Sequence, residues 1–507
     1  MPLLPLVCRL TGLLLLALAP TWGLAQTGAP GAKAGKVTNP AKLVLPAIIA
    51  KALVGAQVPP DAVSLLVVDA TGLQPPRLNH QGSAPMNPAS VMKLVTTYAA
   101  LDVLGPGFTW NTRLLMDGPV SDGILHGNML VRGGGDPKMV VERLQALLAQ
   151  VQASGVRVIR GDIVLDRSAF QVPALDAGEF DGEPLRPYNA RPDALLINFK
   201  SLVLRFTPDP ATGRALVRSE PPMAGLTVDD SVPLAPVSRC GDWRSELRAS
   251  VDSPERIQFA GSYSAACGER VWPTAYAQPA SFAARALEGS WRALGGLLTG
   301  SVRDATAAEL AVLRAGGTLS GERPPLRLDA PSLPLREIVR DVNKFSNNVM
   351  AQHLFLTLGR QSQTGEQAQG TPETGRAALA AWWKKILPLQ PAPVMDNGSG
   401  LSRVERISAT SLAAMLQNAA RSRVAQDLLE SLPIAGVDAT MRERAKAVTG
   451  QAFIKTGSLR DVTAVAGYVN GNSGARYIVV GMVNHPNAGA ARPAMDALIR
   501  WAVQEQR

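Results

Sequence analysis

Asn87-Pro88-Ala89-Ser90-Val91-Met92-Lys93-Leu94-Val95-Thr96-Thr97-Tyr98-Ala99-Ala100-Leu101-Asp102-Val103-Leu104-Gly105 reads as a single helix. Asn87 is a good N-cap, and Pro88 suits the first helical position. Apolar residues recur at Val91, Leu94, Val95, Tyr98, Leu101 and Leu104, the spacing of a buried stripe. Gly105 supplies a left-handed stop. Ser90 then falls in the first turn, among free backbone N–H groups and at the positive end of the helix dipole. Ser90 and Lys93 are three apart and share a face. A neutral lysine amine there would accept the hydroxyl proton as Ser90 attacks. Neutrality requires desolvation or a second cation nearby. Taken alone, S-x-x-K is a weak signal, because a capping serine followed by a solvated lysine has the same letters.

Two further elements give the first its meaning. Asp341-Val342-Asn343-Lys344-Phe345-Ser346-Asn347-Asn348-Val349-Met350 lies between two helical patterns, Leu335 to Val342 and Val349 to Leu358. Polar residues at such a junction can face a cleft, with Ser346 relaying a proton and Asn348 hydrogen-bonding an amide. A polar helix–helix turn is the bland alternative. Gln451-Ala452-Phe453-Ile454-Lys455-Thr456-Gly457-Ser458-Leu459 reads as a strand. It is followed by strand-like runs Ala464 to Asn470 and Arg476 to Asn484, joined by the turn-rich Gly471-Asn472-Ser473-Gly474. Lys455 and Thr456 suit a carboxylate. Gly457, without a side chain, would let a substrate backbone lie close. The backbone N–H groups of Ser90 and Ser458 suit an oxyanion hole. Lys455 is also the cation that would depress the Lys93 pKa. S-x-x-K, S-x-N and K-T-G in that order are the arrangement of penicillin-interacting serine enzymes.

On these segments the chain resembles the low-molecular-weight class C penicillin-binding proteins, the D-alanyl-D-alanine carboxypeptidase/endopeptidase family called peptidase family S13. The resemblance covers nearly all of the chain after its N-terminal segment. Asn87 to Lys93 is similar to the family's nucleophile segment, with Val91 where threonine is common. Asp396-Asn397-Gly398-Ser399-Gly400-Leu401-Ser402-Arg403 and Ser431 to Thr440 are similar to family-specific loops, with Ala439 where glycine is more usual. Pro187-Tyr188-Asn189-Ala190 and Phe282 to Leu287 resemble insert segments. The resemblance implies Ser90 as the acylated nucleophile, Lys93 as its general base, Ser346 as proton shuttle and Asn348 as substrate orienter. Lys455 would supply electrostatics, Thr456 would contact the terminal carboxylate, and Gly457 and Ser458 would complete the substrate strand. The implied reaction is serine-type D-Ala-D-Ala carboxypeptidase chemistry, with D,D-endopeptidase action on peptidoglycan cross-links. β-Lactams would act as inhibitors that acylate Ser90. A β-lactamase or esterase on the same scaffold is the alternative. It would require a tyrosine where Ser346 stands, or a dedicated deacylating glutamate. A non-catalytic cell-wall binding protein would not need the intact polar set.

The implied fold is α+β and multi-domain. An antiparallel sheet flanked by helices forms a penicillin-binding/β-lactamase-like transpeptidase domain, with a large, mainly β insertion making two nested domains. The expected boundaries are 26–102 with 336–507 for the catalytic domain, 103–132 with 311–335 for the outer insert domain and 133–310 for the inner one. Strands are expected at Val63 to Asp69, Leu114 to Met116, Asn128 to Arg132, Gly161 to Asp166 and Leu202 to Phe206. Helices are expected at Pro137 to Ala153, Ser281 to Leu298 and Ala491 to Val503.

The N-terminus reads as a signal peptide over 1–25. Arg9 precedes the apolar run Leu13 to Leu18, and Gly23-Leu24-Ala25 offers small residues for cleavage. The run is too short for a transmembrane anchor, and Cys8 lacks a lipobox. A loose Gly/Ala/Pro/Lys-rich stretch, 26–41, follows. The expectation is an exported, periplasmic or otherwise extracytoplasmic protein. Export leaves Cys240 and Cys267, an even pair suggesting one disulfide; two buried thiols are the alternative. His80, His126, His353 and His485 have no metal-ligand spacing, and no phosphate loop or dinucleotide fingerprint stands in the chain, so no metal or other cofactor is expected. The 507 residues suggest about three domains. The net charge of +10 comes mostly from dispersed arginines. That suits an anionic cell-wall milieu or peripheral contact with a membrane face. Without a basic cluster interleaved with aromatics, it does not suit nucleic acid. The sequence carries no signal for oligomeric state.

Overall fold

The computed structural model describes residues 45–236, 239–321, 326–365 and 368–505. The expected signal peptide, Cys8 and the 26–41 stretch lie outside the described residues. Nine elements position the site, labelled in chain order: β1 (Val63–Asp69), β2 (Leu78–His80), α1 (Lys93–Leu104), α2 (Leu335–Phe345), α3 (Asn348–Gln361), β3 (Ala452–Leu459), β4 (Val462–Asn470), β5 (Arg476–Asn484) and α4 (Arg492–Gln504). The strands form one sheet in the order β2–β1–β5–β4–β3. Every neighbouring pair is antiparallel.

Strand alternation explains why both faces are covered. Successive side chains point to opposite faces. Leu66, Val68, Ala464, Ala466, Val480 and Met482 join the core built with α1, α2 and α3. Their alternates Leu65, Val67, Val465, Val479 and Val483 join the core built with the helix Ala47–Gly55 and α4. Each such valine or leucine contributes roughly 1.5–3 kcal/mol on full burial. β1 runs against β5 from Val63 opposite Val483 to Asp69 opposite Tyr477. The two ends of the described chain therefore close one sheet, and everything between α1 and α2 is suspended from it.

The suspended segment is rich in strands. One five-stranded sheet orders Val302–Asp304, Ile163–Asp166, Asn128–Arg132, Asn111–Asp117 and Leu326–Pro331. It crosses the boundaries expected at 132/133 and 310/311, because 163–166 pairs in parallel with both 128–132 and 302–304. A second sheet orders Tyr263–Ser264, Ser231–Ala235, Arg214–Glu220, Ser201–Asp209 and Arg270–Ala275. Cys240 and Cys267 are joined as a disulfide beside it. The helix expected over 281–298 forms as Phe282–Ala293 and stops there. Gly295 takes φ +80°, and Leu297–Leu298 becomes a short strand beside Val158–Ile159.

Candidate active site

The segment around Ser90 departs from a plain α-helix. Ala89–Met92 is a 3-10 turn, and the α-helix begins at Lys93. Ala89 has φ +46°, a left-handed conformation that costs a side-chain-bearing residue roughly 1–2 kcal/mol. Surrounding bonds hold it there. The Asn87 side chain accepts from the Ala89 N–H at 2.8 Å. The Asn87 backbone and the Asn484 amide exchange two bonds, at 2.8 and 2.9 Å, pinning the turn to the end of β5. Two glycines press on its backbone. A Cβ on Gly457 would lie 2.5 Å from the Pro88 carbonyl oxygen and 3.0 Å from the Ser90 nitrogen. One on Gly400, at φ +79°, would lie 2.0 Å from the Ala89 carbonyl oxygen. Gly457 thus makes room for the turn that carries Ser90, a role the sequence had not suggested.

The three motifs meet. Lys93 is fully buried. Its Nζ donates to Ser90 Oγ at 2.9 Å, to Asn348 Oδ1 at 2.6 Å and to the Ser399 carbonyl. Asn348 opens α3, and its Nδ2 donates to the Tyr188 carbonyl at 3.0 Å. A carbonyl can only accept, so Asn348 must turn its oxygen toward Lys93. Ser346 caps α2 in a left-handed conformation, φ 56° and ψ 35°. Its Oγ accepts from Lys455 Nζ at 2.8 Å. Lys455 also donates to the Thr456 carbonyl at 2.7 Å, and Thr456 Oγ1 lies 3.0 Å from Thr440 Oγ1. The 433–435 segment pairs along the outer edge of β3, with Ala435 N–H on the Ala452 carbonyl and Ile454 N–H on the Pro433 carbonyl. That pairing ends at Ile454, and Lys455-Thr456-Gly457-Ser458 follows. Ser458 is exposed.

Burial sets the electrostatics. The Lys93 pKa is well below the usual lysine value, first because burial penalises the ammonium and second because Lys455 repels it; Glu405 opposes both. Burial alone lowers Lys455 to about 7. Glu405 is completely buried, and burial pushes its carboxyl up against the pull of three backbone N–H groups. His353, on α3, is brought to about 4 by burial. As a neutral ring it donates from Nδ1 to the Gly135 carbonyl at 2.9 Å and accepts from the Asp193 N–H at 3.3 Å. It therefore ties α3 to the chain between α1 and α2.

All five expected catalytic residues, Ser90, Lys93, Ser346, Asn348 and Lys455, lie in this network, with Thr456 and Gly457 at its edge. Sequence reasoning gave no role to the Ser399 carbonyl, the Tyr188 carbonyl, Thr440 or Glu405. The first three stand in segments the sequence had singled out. A cavity of about 450 Å³ opens alongside, lined by Phe180, Asn189, Gln352, Ser402 and Arg403 among others. The Arg403 guanidinium lies 4.6 Å from the Phe180 ring centre.

Residues 47–505 match the model of a family described as the D-Ala-D-Ala carboxypeptidase 3 (S13) family. A D-alanyl-D-alanine carboxypeptidase of Actinomadura sp. is 28% identical over 462 residues, 88% of this chain and 81% of that protein. The D-alanyl-D-alanine carboxypeptidase DacB of Haemophilus influenzae is 26% identical over 81% of this chain and 83% of its own length. The crystal structure of penicillin binding protein 4 (dacB) from that organism superposes with a TM-score of 0.67 at 22% identity, covering 89% of this chain and 99% of that one. A second crystal structure of it is a complex with a β-lactam. A predatory endopeptidase of Bdellovibrio bacteriovorus superposes with a TM-score of 0.51 at 16% identity, over 87% of this chain and 93% of that one.

Proposed function

The chain belongs to the D-Ala-D-Ala carboxypeptidase 3 (S13) family, and from that premise we propose how its own residues cleave an acyl-D-Ala-D-Ala bond through a covalent ester on Ser90. The chain is a serine-type D-Ala-D-Ala carboxypeptidase with an α+β, penicillin-binding-type fold. The single observation that carries the residue assignment is the set of three oxygens around Lys93 Nζ, two of which can only accept. A neutral amine has two N–H donors and one lone pair. Asn348 Oδ1 and the Ser399 carbonyl can take only donors. The lone pair is left to Ser90, so Lys93 accepts the Ser90 proton as Oγ attacks the penultimate D-alanine carbonyl.

The remaining roles follow from position. The Ser90 and Ser458 N–H groups face the developing oxyanion. The terminal carboxylate lies against Lys455 and Thr456. Ser346 Oγ accepts from Lys455, so its own O–H passes a proton to the leaving D-alanine amine while the Lys455 ammonium replaces it. Water then attacks the ester, its proton returning through Ser346 to Lys455, and Lys93 gives its proton back to Ser90 Oγ. Beyond Ile454 the outer edge of β3 pairs with no further strand among the described residues, which suits an extended peptide added as a strand. A leaving amine from a neighbouring stem peptide makes the same step a D,D-endopeptidase cut. A β-lactam, a strained cyclic amide with a nearby carboxylate, would acylate the same hydroxyl. Such a substrate would put its enzyme outside the cytoplasm, the location also expected from reading residues 1–25 as a signal peptide. The segment between α1 and α2 is then an insertion into the catalytic domain.

Labelled penicillin followed by peptide mass spectrometry tests the assignment. One adduct per chain, on Ser90, is expected; an adduct elsewhere contradicts it. Digestion of cell-wall fragments separates the two cuts, since loss of one alanine is carboxypeptidase action and dimers becoming monomers is endopeptidase action.

A further inference from the structure

The acceptor that steers Lys93 is a backbone carbonyl, and a backbone carbonyl is only as fixed as the turn that carries it. The 396–400 turn is gathered on one carboxyl oxygen. Glu405 Oε1 accepts from the N–H groups of Asp396, Asn397 and Gly398 at 3.1, 3.1 and 3.0 Å. The turn then presents two successive carbonyls to α1. Gly398 receives Thr96 Oγ1 at 2.6 Å and Ser399 receives Lys93 Nζ. Asn397 tightens the same turn. Its Oδ1 accepts from the Ser399 N–H at 3.0 Å and from Ser399 Oγ at 2.6 Å, and its Nδ2 donates to the Leu401 carbonyl at 3.0 Å. Glu405 is fully buried, and its second oxygen has no hydrogen-bond partner among the described residues.

Such a placement is unfavourable by itself. Burying a carboxyl with one oxygen unsatisfied costs free energy that an apolar residue would not. Three convergent N–H bonds on the other oxygen offset part of that cost. An ordinary turn closes with one or two backbone bonds and needs no buried acid. Here the stabilised object is the segment whose carbonyl decides where the Lys93 lone pair points.

We infer that Glu405 is a positioning residue for acylation: it clamps the 396–400 turn so that the Ser399 carbonyl takes one Lys93 N–H and leaves the amine lone pair facing Ser90. The inference rests on the assignment of Ser90 and Lys93 above. Glu405 touches neither reacting atom and acts through Lys93. Its loss should slow the covalent step and leave the non-covalent encounter unchanged, since Lys455 and Thr456, assigned above to the substrate carboxylate, are held by Ser346 and Thr440 and not by the turn that Glu405 clamps.

The test is stopped-flow acylation of the full chain by a fluorescent penicillin, resolving the non-covalent dissociation constant from the acylation rate constant. Glu405→Ala is expected to lower the rate constant by about ten- to a hundredfold, the scale of a small misplacement of a reacting group, with the dissociation constant unchanged. Glu405→Gln keeps an oxygen for the three N–H groups and is expected to restore the rate. If Glu405→Ala does not fold by circular dichroism, Glu405→Met, which fills the space without an acceptor, takes its place with the same expectation. A folded acceptor-free variant that acylates normally, or one whose loss lies in the dissociation constant, overturns the inference. So does a Glu405→Gln variant as slow as the alanine. If the wild-type chain forms no adduct on Ser90, the underlying assignment has failed, a result distinct from a reactive wild type with an indifferent Glu405.

Discussion

Lys200 and the pair Lys93 and Lys455 are all buried lysines, and they are put to opposite uses. Lys200, in the chain between α1 and α2, lies 2.9 Å from Asp193, which also meets Arg167 at 2.8 Å. Burial pushes the Asp193 carboxyl up, but Lys200 and Arg167 more than offset that and hold it below its ordinary value. The result is a fixed ionic cluster. Lys93 and Lys455 have only neutral oxygens within hydrogen-bond reach, and among the described residues neither lies within salt-bridge distance of a carboxylate. Without a counter-ion in contact, burial discourages the charge, and the amine becomes a titrating group. A buried lysine beside a carboxylate is structure; one beside hydroxyls, amides and carbonyls is chemistry.

The contrast is broken most severely at the reacting pair. Ser90→Ala is expected to abolish the covalent penicillin adduct, read by mass spectrometry. Lys93→Met is expected to slow acylation by about 10²–10⁴, the usual share of a general base, and to change the melting temperature little, because removing a buried amine with no contacting counter-ion offsets the loss of a donor to Asn348 Oδ1 and the Ser399 carbonyl. A strong loss of stability in Lys93→Met would mean that this lysine is structural after all. In the insert the pattern should reverse. Replacing Cys240 and Cys267 by serine removes a bridge spanning 27 positions and is expected to cost about 3 kcal/mol in denaturant unfolding, with acylation unchanged. Lys200→Met breaks a buried pair on one side and is expected to cost up to about 3 kcal/mol, the lower end for such a change because Arg167 still faces Asp193. It too should leave acylation alone.

The smallest effect is a pH dependence. The Lys455 pKa is lowered to about 7, so the free enzyme carries the ammonium below that pH and the neutral amine above it. The non-covalent affinity for a carboxylate-bearing penicillin should be full below about 7 and weaken as pH rises through it. The methyl ester of the same penicillin should lack that dependence. Equal behaviour of acid and ester would remove Lys455 from carboxylate recognition.

Much of this was legible because it was written in side-chain types at fixed spacing. Lys455-Thr456-Gly457, the meander after it and the two helices meeting at Ser346 follow from period-2 and period-3.6 patterns and from turn residues. The inner structure of the nucleophile turn was not legible. The left-handed Ala89 is imposed by Asn484, Gly400 and Gly457, all remote in the chain, and local propensity has no access to them. The carbonyls of Tyr188 and Ser399 were unreadable for a different reason, since every residue owns a carbonyl. Glu405 was passed over because a lone glutamate in a loop ordinarily faces solvent. The insert sheet crossed its expected boundaries because parallel pairing of 163–166 with its neighbours leaves no local mark.

The bond from Asn348 Nδ2 to the Tyr188 carbonyl has a consequence for anyone who would trim this molecule. An asparagine amide is nearly symmetric in shape, and only its surroundings tell the two ends apart. Here the end that meets Lys93 is chosen by a peptide oxygen from the inserted segment. Excising that segment would free the amide to rotate end for end, setting an –NH2 against the lysine. The nitrogen proposed to collect the Ser90 proton would then face a donor, and the minimal enzyme would have all its side chains and the wrong polarity.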